Sequence, residues 1–190
     1  MCIRDRPKDL EASEIEVRLG ATWLDKKYIE QFMYETFETP RYLRGQIEIS
    51  YVPYTAEWQV SRKSMVRYND VAAFTTYGTD RASAYRLLED ALNLRDIRIY
   101  DTIEDADGRE RRVLNAKETT LAAQKQQLIR DAFKDWIWKD PERRETLVRQ
   151  YNEEMNSTRP REYDGSHIVF SGMNPEITLR EHQKNAIAHV

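Results

Sequence analysis

The feature that most constrains the fold is a change of period near Ala116. Before it, apolar residues alternate with polar ones in several short runs, the two-residue period of half-buried strands, mixed with two runs of helical spacing. After it they recur every three or four residues, the period of a helix. A mixture of the two periods giving way to the helical one alone predicts an α+β fold: a small mixed strand and helix module, then an α-helical segment, then an irregular lead-in to a terminal helix.

Within the first part, IEVRLGATWL (15–24) alternates Ile15, Val17 and Leu19 and predicts a strand. Asp25 stands at an N-cap position, and Ile29, Phe32, Met33 and Phe37 follow at helical spacing until Thr39-Pro40. QIEISYV (46–52) and EWQVS (57–61) predict a hairpin across the polar turn YTAE. Asp80 is placed to cap a helix running to Asn93, with Ala84, Leu87, Leu88, Ala91 and Leu92 inward. IRIYDTI (97–103) and ERRVLN (110–115) form a second hairpin around Asp107-Gly108, a pair that tolerates the positive φ of a tight turn.

In the second part, KETTLAAQKQQLIRDAFKDWIWK (117–139) carries Leu121, Leu128, Ile129, Ala132, Phe133, Trp136 and Ile137 as one apolar stripe. Asp140-Pro141 supplies a cap and a first-turn proline for another helix, with Leu147, Val148, Tyr151 and Met155 inward. From Asn156 to Glu176 there is no period, and Pro160, Gly165, Gly172 and Pro175 predict a loop with one short strand at HIVF (167–170). A last helix starts near Thr178 with Leu179, Ala186, Ile187 and Val190 apolar. The expected organisation is a tail at 1–9, the mixed module at 10–115, the helical segment at 116–156, and a loop with its helix at 157–190.

Composition excludes several classes of function. Thirty Lys and Arg against 33 Asp and Glu leave a net charge of −3, so any nucleic-acid contact has to be local. The single cysteine, Cys2, cannot pair within the chain and suits a reducing cytoplasm. No apolar run reaches the roughly 20 residues that span a bilayer, so no membrane contact is expected. The opening MCIRDR lacks the apolar stretch of a signal peptide and reads as translated sequencing adapter or a disordered tail. Gly-rich phosphate loops ending in Lys-Ser or Lys-Thr and Gly-x-Gly-x-x-Gly turns are missing from the sequence. His182 and His189 share a helix face seven residues apart, wider than usual for a metal pair, and His167 stands alone, so no metal is expected. The carboxylates of EDADGRE (104–110) are explained by a wet turn.

Two constellations remain as candidates. Arg143, Arg144 and Arg149 on the second helix, with Arg159 and Arg161 in the loop beyond it, are dense enough to hold phosphates beside Trp136, Trp138 and Tyr151. Glu142, Glu145, Glu153 and Glu154 are interleaved with them, the pattern of an ordinary solvated helix face. Gln183 offers a donor and an acceptor together, as reading an adenine edge requires. By pattern alone it is also an exposed polar residue.

The run from WIWKDPERRETLVRQYNEEMNSTRP through ITLREHQKNAIAHV resembles the region ahead of the motor in very large bacterial mobile-element and phage proteins. Those proteins join an adenine-specific DNA methyltransferase to a Swi/Snf-type superfamily-two helicase. EIEVRLGATWL and YIEQFMYETF are similar to the stretch that follows the methylase part, and the likeness covers residues 8–190. In such motors a Leu-x-x-x-Gln element precedes the phosphate loop, and its glutamine contacts the adenine of ATP; Leu179 and Gln183 match it. The resemblance implies a fragment that connects the two engines and is not catalytic alone. It binds no cofactor itself; ATP and Mg²⁺ would serve the motor of the parent protein and S-adenosylmethionine its methylase. The implied partners are DNA, through the parent, and the flanking methylase and helicase domains. The alternative is a freestanding, non-enzymatic adaptor for a protein or nucleic acid.

Overall fold

The computed structural model describes residues 7–66, 70–104 and 109–157, positions 165, 168, 169 and 174, and residues 177–188. Two compact units are present, Leu10–Tyr151 and a smaller one made of the residues up to Asp9 with Asn152–Val190. The fold is α+β, with two separate antiparallel hairpins and several helices.

In the larger unit, helix α1 (Lys26–Thr36) begins where Asp25 accepts a hydrogen bond from the Lys27 amide at 3.0 Å. Its inner face buries Ile29, Phe32 and Met33 completely, with Phe37 fully buried just beyond its end. Strands β1 (Ile49–Val52) and β2 (Glu57–Val60) pair in the register Ile49 with Val60 and Tyr51 with Trp58. Helix α2 (Ala84–Leu92) buries Tyr85, Leu87, Leu88 and Ala91. Strands β3 (Tyr100–Glu104) and β4 (Glu110–Leu114) make the second hairpin, whose Asp107-Gly108 turn lies outside the described residues. Helix α3 (Ala116–Lys139) starts with the Asn115 side chain accepting from the Glu118 amide at 3.0 Å, and α4 (Pro141–Glu154) follows after Asp140.

One core joins α1, α2, α3 and β1–β2. At its centre the rings of Phe32 and Phe133 meet edge to face at 5.1 Å, Phe32 and Trp136 at 5.7 Å, and Phe37 and Tyr85 at 5.3 Å. Burying each such ring contributes about 2–3 kcal/mol. The change of period near Ala116 therefore falls inside one compact unit.

Four expectations are corrected. Met155, expected on the inner face with Leu147, Val148 and Tyr151, lies just past the end of α4 and is 49% exposed. Ile15, Val17 and Leu19 are buried and alternate with exposed Glu16 and Arg18, yet this segment pairs with no strand among the described residues. The side chains dock directly onto the core, so the alternation reports burial and not a ladder. Asp80 caps nothing; Ser83 is the N-cap of α2 and makes no side-chain cap bond. On α3 the buried seam is Ala122, Gln126, Ile129, Phe133 and Ile137, whereas Leu121 and Leu128 are 41% and 43% exposed. A glutamine replaces a leucine in that seam because its Nε2 donates to the Arg95 carbonyl at 2.8 Å, which removes the cost of burying the amide.

The two hairpins differ at their edges. The Trp58 amide donates to Asn93 Oδ1 at 2.8 Å while Asn93 Nδ2 donates to the Trp58 carbonyl at 2.8 Å. The Val60 amide donates to Glu89 Oε2 at 2.8 Å, and on the other side the Ile49 amide donates to Glu30 Oε1 at 2.9 Å. Side chains of α1 and α2 thus cover the edge groups that a third strand would otherwise take. In β3–β4 nearly every residue is exposed, including Tyr100, Ile103, Val113 and Leu114.

In the smaller unit, Asn156 Nδ2 donates to the Lys8 carbonyl and to Asn152 Oδ1, both at 2.9 Å. Helix α5 (Glu181–Ala188) contains no buried residue, and the Gly165 amide donates to Asn185 Oδ1 at 2.9 Å. His167 and residues 158–164 lie outside the described residues, as do most of the loop through residue 176 and all but two residues of HIVF.

Gly20 combines φ +82° with an approach in which an added Cβ would stand 2.2 Å from the Leu92 carbonyl oxygen. Gly20→Ala is expected to destabilise the larger unit by about 2 kcal/mol or more, read as a lower urea midpoint at unchanged slope. Burial pushes the Tyr85 phenol from 10.0 up to about 12, opposed by its 2.7 Å hydrogen bond with Thr39. The unfolded chain releases that proton near pH 10 and the folded chain holds it to about pH 12. Stability is therefore expected to be full below pH 10 and to fall as pH rises toward 12, by about 2–3 kcal/mol from this group. Urea midpoints across that range should fall less steeply for Tyr85→Phe.

Candidate nucleic-acid interface

The corner between α3 and α4 is built by two residues. Asp140 Oδ1 accepts from the Arg143 amide at 2.8 Å, which caps α4 at its third position, with Pro141 at the first. The Arg143 side chain then reaches back. Its Nε donates to the Ile137 carbonyl at 3.0 Å, an Nη donates to the Trp136 carbonyl at 2.6 Å, and its guanidinium lies 3.5 Å from the centre of the Trp136 ring. A cation on the last carbonyls of a helix is favoured by both hydrogen bonding and the helix dipole. Burial lowers the Arg143 pKa, and the nearby carboxylates of Asp140 and Glu35 oppose that shift. Glu35 also accepts from the Trp136 indole at 2.7 Å, which holds the ring beneath the guanidinium.

Of the arginines singled out in the sequence, Arg143 is therefore committed to this corner, whereas Arg144 and Arg149 are exposed and make no ion pair among the described residues. At about 100° per residue, five positions along a helix turn Arg149 roughly 140° away from Arg144. The three guanidinium groups do not converge. Arg159 and Arg161 lie outside the described residues.

Gln183, on α5, is exposed, and Leu179, just ahead of that helix, is half-buried. The Gln183 side-chain oxygen accepts from the Arg180 amide at 2.9 Å. This is the reach-back of a capping box, in which the third residue of a helix satisfies the amide just ahead of it. Gln183 thus has a local structural role in holding the start of the helix. His182 is exposed, and His189 lies outside the described residues.

A set of cations that the sequence reading missed does converge. Arg18, Arg130 and Lys134 line one cavity of about 220 Å³. Arg130 and Lys134 are four apart on α3, a face-sharing spacing that was legible, but Arg18 arrives from the unpaired segment before α1. Nothing local to residue 18 announces that meeting.

Among the described residues, no three His, Cys, Asp or Glu side chains gather as a metal site, and no helix is long and apolar enough to cross a membrane. Residues 18–157 match the protein family described as "Domain of unknown function (DUF8437)". No curated protein and no solved structure matches the chain.

Arg143→Ala is expected to cost about 2–4 kcal/mol, because it uncaps α3 and removes a buried stack. Arg143→Lys should recover only part, since an ammonium lacks the planar fork. Arg144→Ala and Arg149→Ala should stay within about 0.5 kcal/mol of the parent in urea denaturation.

Proposed function

We propose, for a chain that belongs to the DUF8437 family, that it serves as the connector of a larger DNA-processing protein. In this reading it stands between an adenine-specific methylase part and a Swi/Snf-type helicase motor of a mobile element or phage. ATP and Mg²⁺ serve the motor and S-adenosylmethionine the methylase; the connector docks them and does no chemistry itself. Gln183, with Leu179, adds an adenine contact to the motor, at the expense of its own capping bond.

The observation that carries the reading is the β3–β4 ribbon. A two-stranded hairpin is marginally stable alone, and this one leaves Ile103, Val113 and Leu114 between 39% and 49% exposed. It is held at its base, where Arg81 donates to Asp101 Oδ1 at 2.8 Å and to the Tyr100 carbonyl at 2.9 Å. Hydrogen bonds from Arg81 and Asn115 also lower the Asp101 pKa. A ribbon anchored at one end with apolar residues outward supports a docking role, in contrast to the covered edges of β1–β2. Exposed Arg144 and Arg149 add local phosphate contacts, which the resemblance to a DNA translocase makes relevant.

Two measurements test this. Sequencing the source DNA beyond both ends of the reading frame should reveal a loop ending in Gly-Lys-Ser or Gly-Lys-Thr after Val190. A stop codon there would favour the freestanding adaptor. Duplex-DNA binding by residues 8–190 should weaken in Arg144→Ala and Arg149→Ala, with the salt slope shallower by about 1 for each arginine lost. An unchanged slope would remove these arginines from the DNA contact. Because Arg143 has a packing role, it is left intact in that experiment.

A further inference from the structure

The end of α2 carries a local conflict. The Arg95 amide donates to the Asp90 carbonyl at 2.8 Å and the Leu94 amide to the Ala91 carbonyl at 3.2 Å, the paired bonds of a Schellman motif. The position after the cap in that motif turns left-handed and is usually glycine. Here it is Leu94, at φ +56°. A leucine is disfavoured in this conformation, and the side chain is 64% exposed, so burial in this fold does little to offset the strain.

Leu94 stands at the rim of the 220 Å³ cavity noted above. The apolar part of the lining is Leu94 with buried Leu19 and Ala91, and the polar part brings Arg18, Arg130 and Lys134 against Glu16 and Gln127, whose side-chain oxygen accepts from Arg130 at 3.5 Å. Arg18 and Lys134 have no ion pair among the described residues. Arg130 has a long one, 3.8 Å to Asp96, whose side chain is 89% exposed. Three cations gather around one lining carboxylate, Glu16, with Asp96 beside Arg130 as the second acid, and an anion seated between the cations offsets their remaining repulsion.

We infer that this cavity is a binding site for an organic phosphate, with the phosphate between Arg18, Arg130 and Lys134 and the sugar or base against Leu94 and Ala91. A carboxylate is satisfied by one guanidinium fork, whereas two forks and an ammonium match the terminal oxygens of a phosphate. The strained, exposed leucine is explained as an apolar contact for the ligand body. That chemistry has two sources, a free nucleotide or the sugar-phosphate of a nucleic-acid strand. The lining includes none of the arginines of α4, and the site does not rest on the connector reading.

The test titrates the whole chain at low salt with inorganic phosphate, thymidine 5′-monophosphate, and an oligothymidylate of about ten nucleotides. The expected result is saturable binding of at least one nucleotide probe, weakened about 10-fold or more by Lys134→Ala and by Arg130→Ala. Tighter binding of the oligomer with a steep salt slope identifies a strand; equal or better binding of the mononucleotide identifies a free nucleotide. Leu94→Gly supplies the separate readout: Tm should rise by about 2–4 °C while affinity for the mononucleotide falls and that for inorganic phosphate is kept. Failure of every probe to bind would overturn the proposal. So would binding indifferent to Lys134→Ala, which removes an exposed side chain and spares the core, or a Leu94→Gly variant that is less stable than the parent.

Discussion

Phe32 is the residue on which the larger unit turns. Its ring meets Phe37 at 6.1 Å, Phe133 at 5.1 Å and Trp136 at 5.7 Å, so one side chain of α1 touches both its own helix end and two turns of α3. Phe37 in turn meets Tyr85 of α2 at 5.3 Å. Three helices distant in sequence are fixed through these edge-on contacts, and the Tyr85 hydroxyl closes the set on Thr39. Everything peripheral takes its place from that junction. Trp136 can act as a platform for Arg143 because Phe32 packs against its ring and Glu35 holds its indole nitrogen.

From that core the molecule treats its two hairpins in opposite ways. Asn93, Glu89 and Glu30 cover the edges of β1–β2 with side-chain hydrogen bonds, and Lys63 in turn pairs with Glu89 at 2.5 Å. Edge groups satisfied in this way offer nothing to another chain. The β3–β4 ribbon is tied down at Tyr100 and Asp101 by Arg81 and left open beyond. The asymmetry separates a part that is finished from a part that presents apolar surface, and it is the physical basis for regarding the ribbon as a docking element.

The candidate sites show why charge density in a sequence is a poor guide to a surface. Arg143, Arg144 and Arg149 look alike on paper. One became a helix cap stacked on an indole, and the other two point to different sides of α4. Arg18 occupies an exposed position of an alternating run, in a segment that pairs with no strand among the described residues. It converges with Arg130 and Lys134 only because Ile15, Val17 and Leu19 lay that segment down on the core.

Local pattern alone located helices α1 to α5, the caps at Asp25 and Asp140, and both hairpins, since each depends on residues within a few positions of one another; it gave no sign of the short helical turns at Lys63–Met65 and Ala72–Thr76. It also determined the class, α+β, from the change of period. Tertiary packing decided the rest. It chose Gln126 over Leu128 for the α3 seam because the Arg95 carbonyl was there to receive the amide. It left residues 15–19 without a strand partner among the described residues, and it set which cations meet. Those outcomes depend on groups brought together from far apart in the chain, where burial and hydrogen-bond satisfaction outweigh the propensity of any single stretch.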